Sequence, residues 1–215
     1  MTETATWVFE SLWIAGILAF AISGALVGVR HNLDLLGILV VGTATGIGGG
    51  IIRDMIIGVH PPISLVVWPY WTTALLGSLV VFFFHPGLSK IRRFEIVFDA
   101  FGLGIFSAYG AAVATASGAD LTTAIFVGTI VSIGGGVIRD VLVNDVPGVL
   151  TRELYAVSAI LGASVATVIT HFTGNLMVAT IVGGVLAISL RLTSYAKGWH
   201  LPKPRPVRES PSNKE

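Results

Sequence analysis

Long uncharged stretches separated by short polar segments dominate the pattern of this chain. Asp, Glu, Lys and Arg are all missing from six runs: 11–29, 35–52, 63–89, 121–138, 154–170 and 172–190. Uncharged apolar runs of about 18 residues are typical of membrane-spanning helices, whereas an amphipathic soluble helix keeps a charged face. The pattern therefore predicts helices that lie in a lipid bilayer.

The apolar runs and the polar connections between them predict an all-α membrane protein with seven transmembrane helices. The expected spans are 9–29, 35–57, 68–84, 96–116, 121–143, 154–171 and 176–192. Segment 1–8 precedes the first span, and the polar, proline-rich tail 197–215 is expected to be disordered.

An internal repeat organises the chain. The sequence GIGGGIIRDMIIG at 46–58 returns as SIGGGVIRDVLVN at 132–144, which places Gly134 86 positions after Gly48. The same offset maps the Arg-Asp pair of the first copy onto that of the second without a gap. The chain is thus expected to divide into repeat 1 (9–85), repeat 2 (95–171) and a separate seventh span (175–193).

Three spans in each copy is an odd number, so the second copy must enter the membrane from the opposite face. Proteins with such inverted repeats place their permeation or substrate site near the midplane, on interrupted helices. The second and fifth spans are therefore expected to meet antiparallel at their glycine triplets.

The basic residues outside the two motifs predict the orientation of the chain. Lys and Arg are retained on the cytoplasmic side of membrane proteins. They fall between spans one and two, three and four, and five and six, and from the end of span seven onward: Arg30, Lys90, Arg92, Arg93, Arg152, Arg191, Lys197, Lys203, Arg205, Arg208 and Lys214. This distribution predicts a multi-pass protein of the plasma or inner membrane, with the N-terminus outside and the C-terminus cytoplasmic.

The glycine triplets allow two interpretations. Three consecutive glycines cost a helix about 1 kcal/mol each relative to alanine, which favours an unwound turn. Carbonyl groups freed by such a turn would line a pathway and replace the hydration shell of a monovalent cation. Alternatively, the glycines serve only close helix packing. Their recurrence at matching depth favours the pathway.

The Arg-Asp pairs are the second candidate feature, because ionisable groups inside spans are expensive and mark function. Adjacent helical residues point about 100° apart, so neighbours are not expected to pair with each other. Partners across the repeats are expected instead, or contact with lipid headgroups if the side chains snorkel. The candidate pathway residues are Gly48, Gly49, Gly50, Arg53, Asp54, Gly134, Gly135, Gly136, Arg139 and Asp140.

The sequence contains no pattern that indicates an enzyme, a cofactor site or a metal site. The five histidines are scattered, the chain has no cysteine, and no Lys-Ser or Lys-Thr follows the glycines as a Walker motif would require. The tryptophans lie close to span ends and are expected to anchor at the membrane interface: Trp7, Trp13, Trp68, Trp71 and Trp199.

At GGGIIRD and GGGVIRD, in two copies of a three-span unit plus a seventh span, the chain resembles the trimeric intracellular cation (TRIC) channel family. It is most similar to the prokaryotic branch, whose repeat was long labelled a glycine-transporter domain. The resemblance implies a homotrimer with a pore in each protomer, spans two and five kinked at the triplets, and conduction of monovalent cations with potassium preferred over sodium. The chain lacks the long charged tail of animal members, so their regulation is not transferred.

Two functions remain open at this point, a monovalent cation channel and a secondary transporter of a small solute such as glycine. An inverted repeat with broken helices fits both. The channel is favoured because no Asp, Glu or His is expected squarely in the middle of a span. The expected partners are the lipid bilayer, potassium and sodium ions and further copies of the chain, and nucleic acid is not among them.

Overall fold

The computed structural model describes residues 3–85, 87–151, 154–199 and 201–202. Within these ranges the chain is all-α, and it forms nine helices in the order α1 (Glu3–Arg30), α2 (Leu35–Ile56), α3 (Ile63–Val66), α4 (Trp68–Phe84), α5 (Leu88–Ala116), α6 (Leu121–Leu142), α7 (Gly148–Thr151), α8 (Tyr155–Thr173) and α9 (Leu176–Lys197). Residues 1–2 and 203–215, which hold most of the tail expected to be disordered, lie outside the described part.

Six of these helices are long and apolar enough to cross a membrane: α1, α2, α5, α6, α8 and α9. Helix α4 is also apolar but has only 17 residues. The all-α membrane class predicted from the sequence is confirmed by these helices.

Two helices extend further than the sequence predicts. Helix α5 begins at Leu88 rather than at 96, so Lys90, Arg92 and Arg93 lie in its first turns and not in a connection. Helix α9 continues to Lys197 and contains Arg191, whose side chain is fully buried. The loop position expected for these basic residues is therefore wrong, because helix formation does not stop where charge begins.

Helices α2 and α6 begin in the same way. Asp34 accepts a hydrogen bond from the Gly37 amide at 2.7 Å, and Asp120 accepts one from the Thr123 amide at 3.0 Å. Such caps satisfy amides that lack a partner in the first turn. The Thr123 hydroxyl and amide both donate to Asp120, which lowers the pKa of that exposed carboxyl below its usual range.

Helices α1 and α5 form the centre of the molecule, with 67% and 72% of their apolar spans buried. A phenylalanine ring on each of these helices packs against a glycine on the other. A Cβ atom at Gly16 would lie 2.5 Å from the Phe106 ring, and one at Gly102 would lie 2.5 Å from the Phe20 ring. The 86-residue offset maps Gly16 onto Gly102 and Phe20 onto Phe106, so the two contacts are equivalent under exchange of the repeats.

Both glycine triplets lie within unbroken α-helix. Helices α2 and α6 run for 22 residues each and continue through the triplets to the Arg-Asp pairs. The expected interruption of the two helices is therefore wrong. A Cβ atom at Gly49 would overlap the Val131 carbonyl oxygen, and one at Gly135 would overlap the Thr45 carbonyl oxygen. The triplets allow two backbones to touch, which offsets their poor helix propensity.

We predict that Gly49→Ala and Gly135→Ala each destabilise the protein by about 1–3 kcal/mol, as overpacking does, because the methyl group meets backbone that cannot move aside. Thermal unfolding in detergent measures the loss. Gly184→Ala is the matched control, since the nearest atom to its Cβ would be a carbonyl oxygen at 3.4 Å, an ordinary contact. Equal melting temperatures for all three variants and the unaltered protein would contradict the packing role.

Candidate functional site at the crossing of helices α2 and α6

The two glycine triplets face each other where α2 and α6 cross. A Cβ atom at Gly48 would lie 2.7 Å from Ile138 Cδ1 and 3.8 Å from the Gly135 Cα, and one at Gly134 would lie 2.5 Å from Ile52 Cδ1. Gly48 lies earlier in α2 than Ile52, and its neighbour Ile138 lies later in α6 than Gly134. The helices are therefore antiparallel, and the two motifs meet as the repeat predicts.

Arg53 lies at one end of this crossing with only 4% of its surface exposed. Its Nε donates to Asp54 Oδ1 at 2.9 Å, and its Nη2 lies 2.7 Å from the same oxygen. Its Cζ lies 4.3 Å from the ring centroid of Trp13 and 5.7 Å from that of Tyr109. We refer to Trp13, Arg53, Asp54 and Tyr109 as the Arg53 cluster.

Arg139 lies in α6 as Arg53 lies in α2, and it is fully buried. Its Nε donates to Asp140 Oδ1 at 2.8 Å, and its Nη1 donates to Asp99 Oδ1 at 2.6 Å and to Ser23 Oγ at 2.9 Å. The Tyr155 hydroxyl donates to the same Asp99 oxygen at 3.4 Å. These five residues form the Arg139 cluster: Ser23, Asp99, Arg139, Asp140 and Tyr155.

The structure corrects two expectations for these charges. Each Arg pairs with the Asp beside it, because a guanidinium on a long side chain folds back far enough to offset the angle between neighbours. Neither Arg53 nor Arg139 reaches out of the protein as snorkelling requires. Contacts across the repeats do occur: α5 brings Tyr109 to Arg53, and α1 brings Ser23 to Arg139.

The second oxygen of each motif Asp holds a short helix that the sequence did not predict. Asp54 Oδ2 accepts from the Ile63 amide of α3, and Asp140 Oδ2 accepts from the Gly148 amide of α7, both at 2.7 Å. Each Asp therefore joins its Arg, its own long helix and the chain that follows. Prolines at matched positions, Pro61 and Pro147, were the sequence signal for these two turns.

The two clusters differ at two pairs of equivalent positions. The 86-residue offset maps Trp13 onto Asp99 and Ser23 onto Tyr109. A ring therefore lies at Arg53 where a carboxylate lies at Arg139. Sequence reasoning missed both roles. Trp13 is fully buried and is not an interfacial anchor, in contrast to the exposed Trp7, Trp68, Trp71 and Trp199.

Acidic side chains also lie deeper in α5 than expected. Glu95 and Asp99 are both fully buried in the first half of this helix, one turn apart. Neither lies at its midpoint, and that no Asp, Glu or His lies squarely in the middle of a span stays a prediction. Arg30 Nη1 lies 2.6 Å from Glu95, and Arg30 Nη2 lies 3.0 Å from Asp145. These ion pairs place the end of α1, the connection after α6 and the first half of α5 together on one face.

The opposite face is marked by a hydrogen bond from the Tyr70 hydroxyl to Glu10. It joins the beginning of α4 to the first part of α1. Among the described residues no group of three or more His, Cys, Asp and Glu side chains is arranged to hold a metal ion.

The sequence matches known proteins over most of its length. Residues 10–86 and 96–171 each match the model of the family described as "Glycine transporter". A "UPF0126 membrane protein" of Deinococcus radiodurans is 41% identical, with 88% of each chain covered. The "UPF0126 inner membrane protein YadS" of Escherichia coli K12 is 35% identical, with 89% of this chain and 92% of that protein covered.

Solved structures with the same fold are also known. A chain from work on the structural basis for conductance through TRIC cation channels has a TM-score of 0.84 and 39% identity, covering 94% of this chain and 99% of that chain. A TRIC trimeric intracellular cation channel orthologue from Rhodobacter sphaeroides has a TM-score of 0.83 and 33% identity, covering 89% of this chain and 98% of its own.

We predict that Asp99→Ala destabilises the protein by roughly 3 kcal/mol, because it leaves Arg139 buried with only one of its two carboxylates. The matched control is Asp145→Ala, which also removes a carboxylate from an arginine, Arg30. The side chain of Asp145 is 40% exposed, whereas that of Asp99 is fully buried. That variant should lose about 1 kcal/mol or less. Equal losses in thermal unfolding would show that burial does not set the strength of these pairs.

Proposed function

The chain belongs to the prokaryotic branch of the TRIC channel family, and from that premise we propose that it conducts monovalent cations, with potassium preferred, across the cell membrane. The observation that carries the proposal is the similarity of fold to solved TRIC cation channels over about nine-tenths of the chain. The charged residues buried around the α2–α6 crossing are the second support.

We place the pathway along this crossing, between the Arg53 and Arg139 clusters. Its proposed residues are Gly48, Gly49, Gly50, Arg53, Asp54, Gly134, Gly135, Gly136, Arg139 and Asp140. Since the helices are not unwound at the glycines, the sign of the permeant ion is set by side chains rather than by freed carbonyls. Arg139 contacts two buried carboxylates, Asp99 and Asp140, which favours cations on that side of the crossing.

The proposed topology has seven spans, with α4 as the third. Helix α4 runs beside α1 for most of its length, since Tyr70 at its beginning contacts Glu10, while Val81 and Phe84 near its end line one cavity with Leu26 of α1. In this arrangement 9–85 and 95–171 are inverted repeats, 175–193 is a separate span, and the face that carries Arg30 and Asp145 is cytoplasmic. The N-terminus then lies outside.

We further propose a homotrimer in which each protomer has its own pore. The Rhodobacter sphaeroides relative is described as trimeric. Large apolar side chains remain exposed on the outer helices, and in a membrane they face either lipid or a neighbouring copy: Leu36, Val40, Leu76, Val80, Phe126, Ile160 and Val185. Packing of helices that carry small residues supports such association.

Transport of glycine by a carrier mechanism is the alternative, and it takes its support from the description of the matched family. The solved relatives over the same region are cation channels, so the channel is the better supported function. The buried carboxylates Glu95 and Asp99 in the first half of α5 are compatible with either mechanism.

We expect purified protein in a planar bilayer to give discrete single-channel steps, with reversal potentials that rank potassium above sodium and exclude chloride. Crosslinking of the same preparation checks that it is trimeric. The control is Leu36→Ile, a change on the exposed surface of α2, which should leave the currents unaltered. Saturable uptake of radiolabelled glycine into liposomes without single-channel steps would support the carrier instead.

We expect the orientation to appear in cysteine labelling of intact cells, because the natural chain contains no cysteine and an introduced one is the sole thiol. A cysteine at exposed Ser117, in the connection after α5, should react with an impermeant reagent. A cysteine at exposed Lys90, in the first turn of α5, should react only after the cells are permeabilised. Reaction of both in intact cells, or the reverse pattern, contradicts the proposed topology.

A further inference from the structure

We infer that Trp13 closes one half of the pathway by holding the Arg53 guanidinium against its ring, so that the two halves of this duplicated protein differ in function. The inference concerns a residue that determines whether ions pass, and it rests on the proposed cation conduction. One pair of equivalent positions that differs between the clusters places the ring of Trp13 at Arg53 and the carboxylate of Asp99 at Arg139.

The two guanidiniums differ in how they are neutralised. Arg139 lies between two carboxylates, Asp99 and Asp140, and a second buried guanidinium, that of Arg191, lies 5.0 Å from the ring centroid of Tyr155 in the same cluster. Among the described residues Arg53 has one carboxylate partner, Asp54, and its Cζ lies 4.3 Å from the ring centroid of Trp13. A cation that enters beside Arg139 meets carboxylate oxygens of Asp99 and Asp140. One that approaches Arg53 meets the carboxylate of Asp54 in a space that aromatic rings fill.

The rings around Arg53 form a continuous buried stack. Trp13 lies on Phe106 with centroids 4.2 Å apart, and it contacts Tyr109 at 4.6 Å. Phe9 also stacks on Tyr109, with centroids 4.2 Å apart. The Arg139 cluster has a serine and a carboxylate, Ser23 and Asp99, at the positions equivalent to Tyr109 and Trp13. The stack thus belongs to the Arg53 half alone.

Trp13 also covers a polar group behind it. Ser64 of α3 is fully buried, and a Cβ atom at Gly50 would overlap its Oγ while lying 2.8 Å from Trp13 Cζ2. Neither Ser64 Oγ nor Trp13 Nε1 has a hydrogen-bond partner among the described residues. Buried polar groups without partners are rare and call for an explanation. A dry closed state whose opening admits water supplies one, because water would then satisfy both groups.

The experiment uses Ser64→Cys as the only thiol in the full-length protein and follows its reaction with an impermeant maleimide in detergent. Three backgrounds are compared. Trp13→Leu keeps an apolar side chain but removes the ring face that attracts the guanidinium, and Trp13→Phe keeps a ring. Phe106→Leu is the matched control. It removes the ring that stacks on Trp13 but leaves in place the Trp13 ring that contacts Arg53.

We expect the thiol to react at least tenfold faster with Trp13→Leu than with Trp13 present, and to stay slow with Trp13→Phe and with Phe106→Leu. Potassium flux into liposomes should rise several-fold for Trp13→Leu and remain unchanged for Trp13→Phe. Trp13→Met, whose flexible side chain refills the space without a ring, replaces Trp13→Leu if that variant does not assemble, and the same increases are expected.

The outcomes separate the inference from the function on which it rests. Equal labelling rates in all backgrounds, fast or slow, overturn the closure by Trp13, and so does acceleration by Phe106→Leu as large as that by Trp13→Leu. A third outcome is that the unaltered protein and Trp13→Leu both carry no cation flux, while the thiol still reacts faster with Trp13→Leu than with Trp13→Phe. The conduction proposal then fails, but Trp13 still closes access to position 64.

Discussion

The buried Arg-Asp pair of each repeat is the interaction on which the other contacts of the site depend. A charged group at membrane depth is tolerated only when it is paired and hydrogen-bonded within the protein. Each motif Asp meets this requirement with one oxygen on its Arg and the other on the first turn of a short helix. The pair therefore fixes the direction in which the chain leaves α2 and α6, and with it the position of the helix that follows.

The glycine triplets determine where these pairs lie relative to each other. Because Gly49 and Gly135 have no side chain, each helix presents its backbone to a carbonyl oxygen of the other, Val131 and Thr45. The close crossing leaves the two Arg residues at opposite ends of one short antiparallel contact. The glycines that looked like helix breaks thus act through proximity, and the charged clusters on either side provide the polar surface that an unwound turn was expected to provide.

Much of this architecture could be predicted from the sequence, because span length, apolar composition and the 86-residue offset depend on local or periodic signals. Contacts between distant helices carry no such signal. The helical continuation of α5 into Lys90 and Arg92, the burial of Arg191 and the stacking of Trp13 on Arg53 are set by tertiary partners. A tryptophan near a span end has the same local sequence whether it anchors to lipid or lies in the core, and only packing decides between the two.

One position at which the two repeats have diverged follows from the same packing. On α2 and α6 the contact between backbones leaves no room for any side chain at Gly49 or Gly135, so both copies keep the same residue. On α1 and α5 the equivalent positions 13 and 99 face a guanidinium, which accepts either a ring or a carboxylate as a partner. A duplicated protein in which both halves were identical would present the same barrier from each side of the membrane. Substitution at position 13 or 99 is the change that alters one half while the shared crossing stays intact.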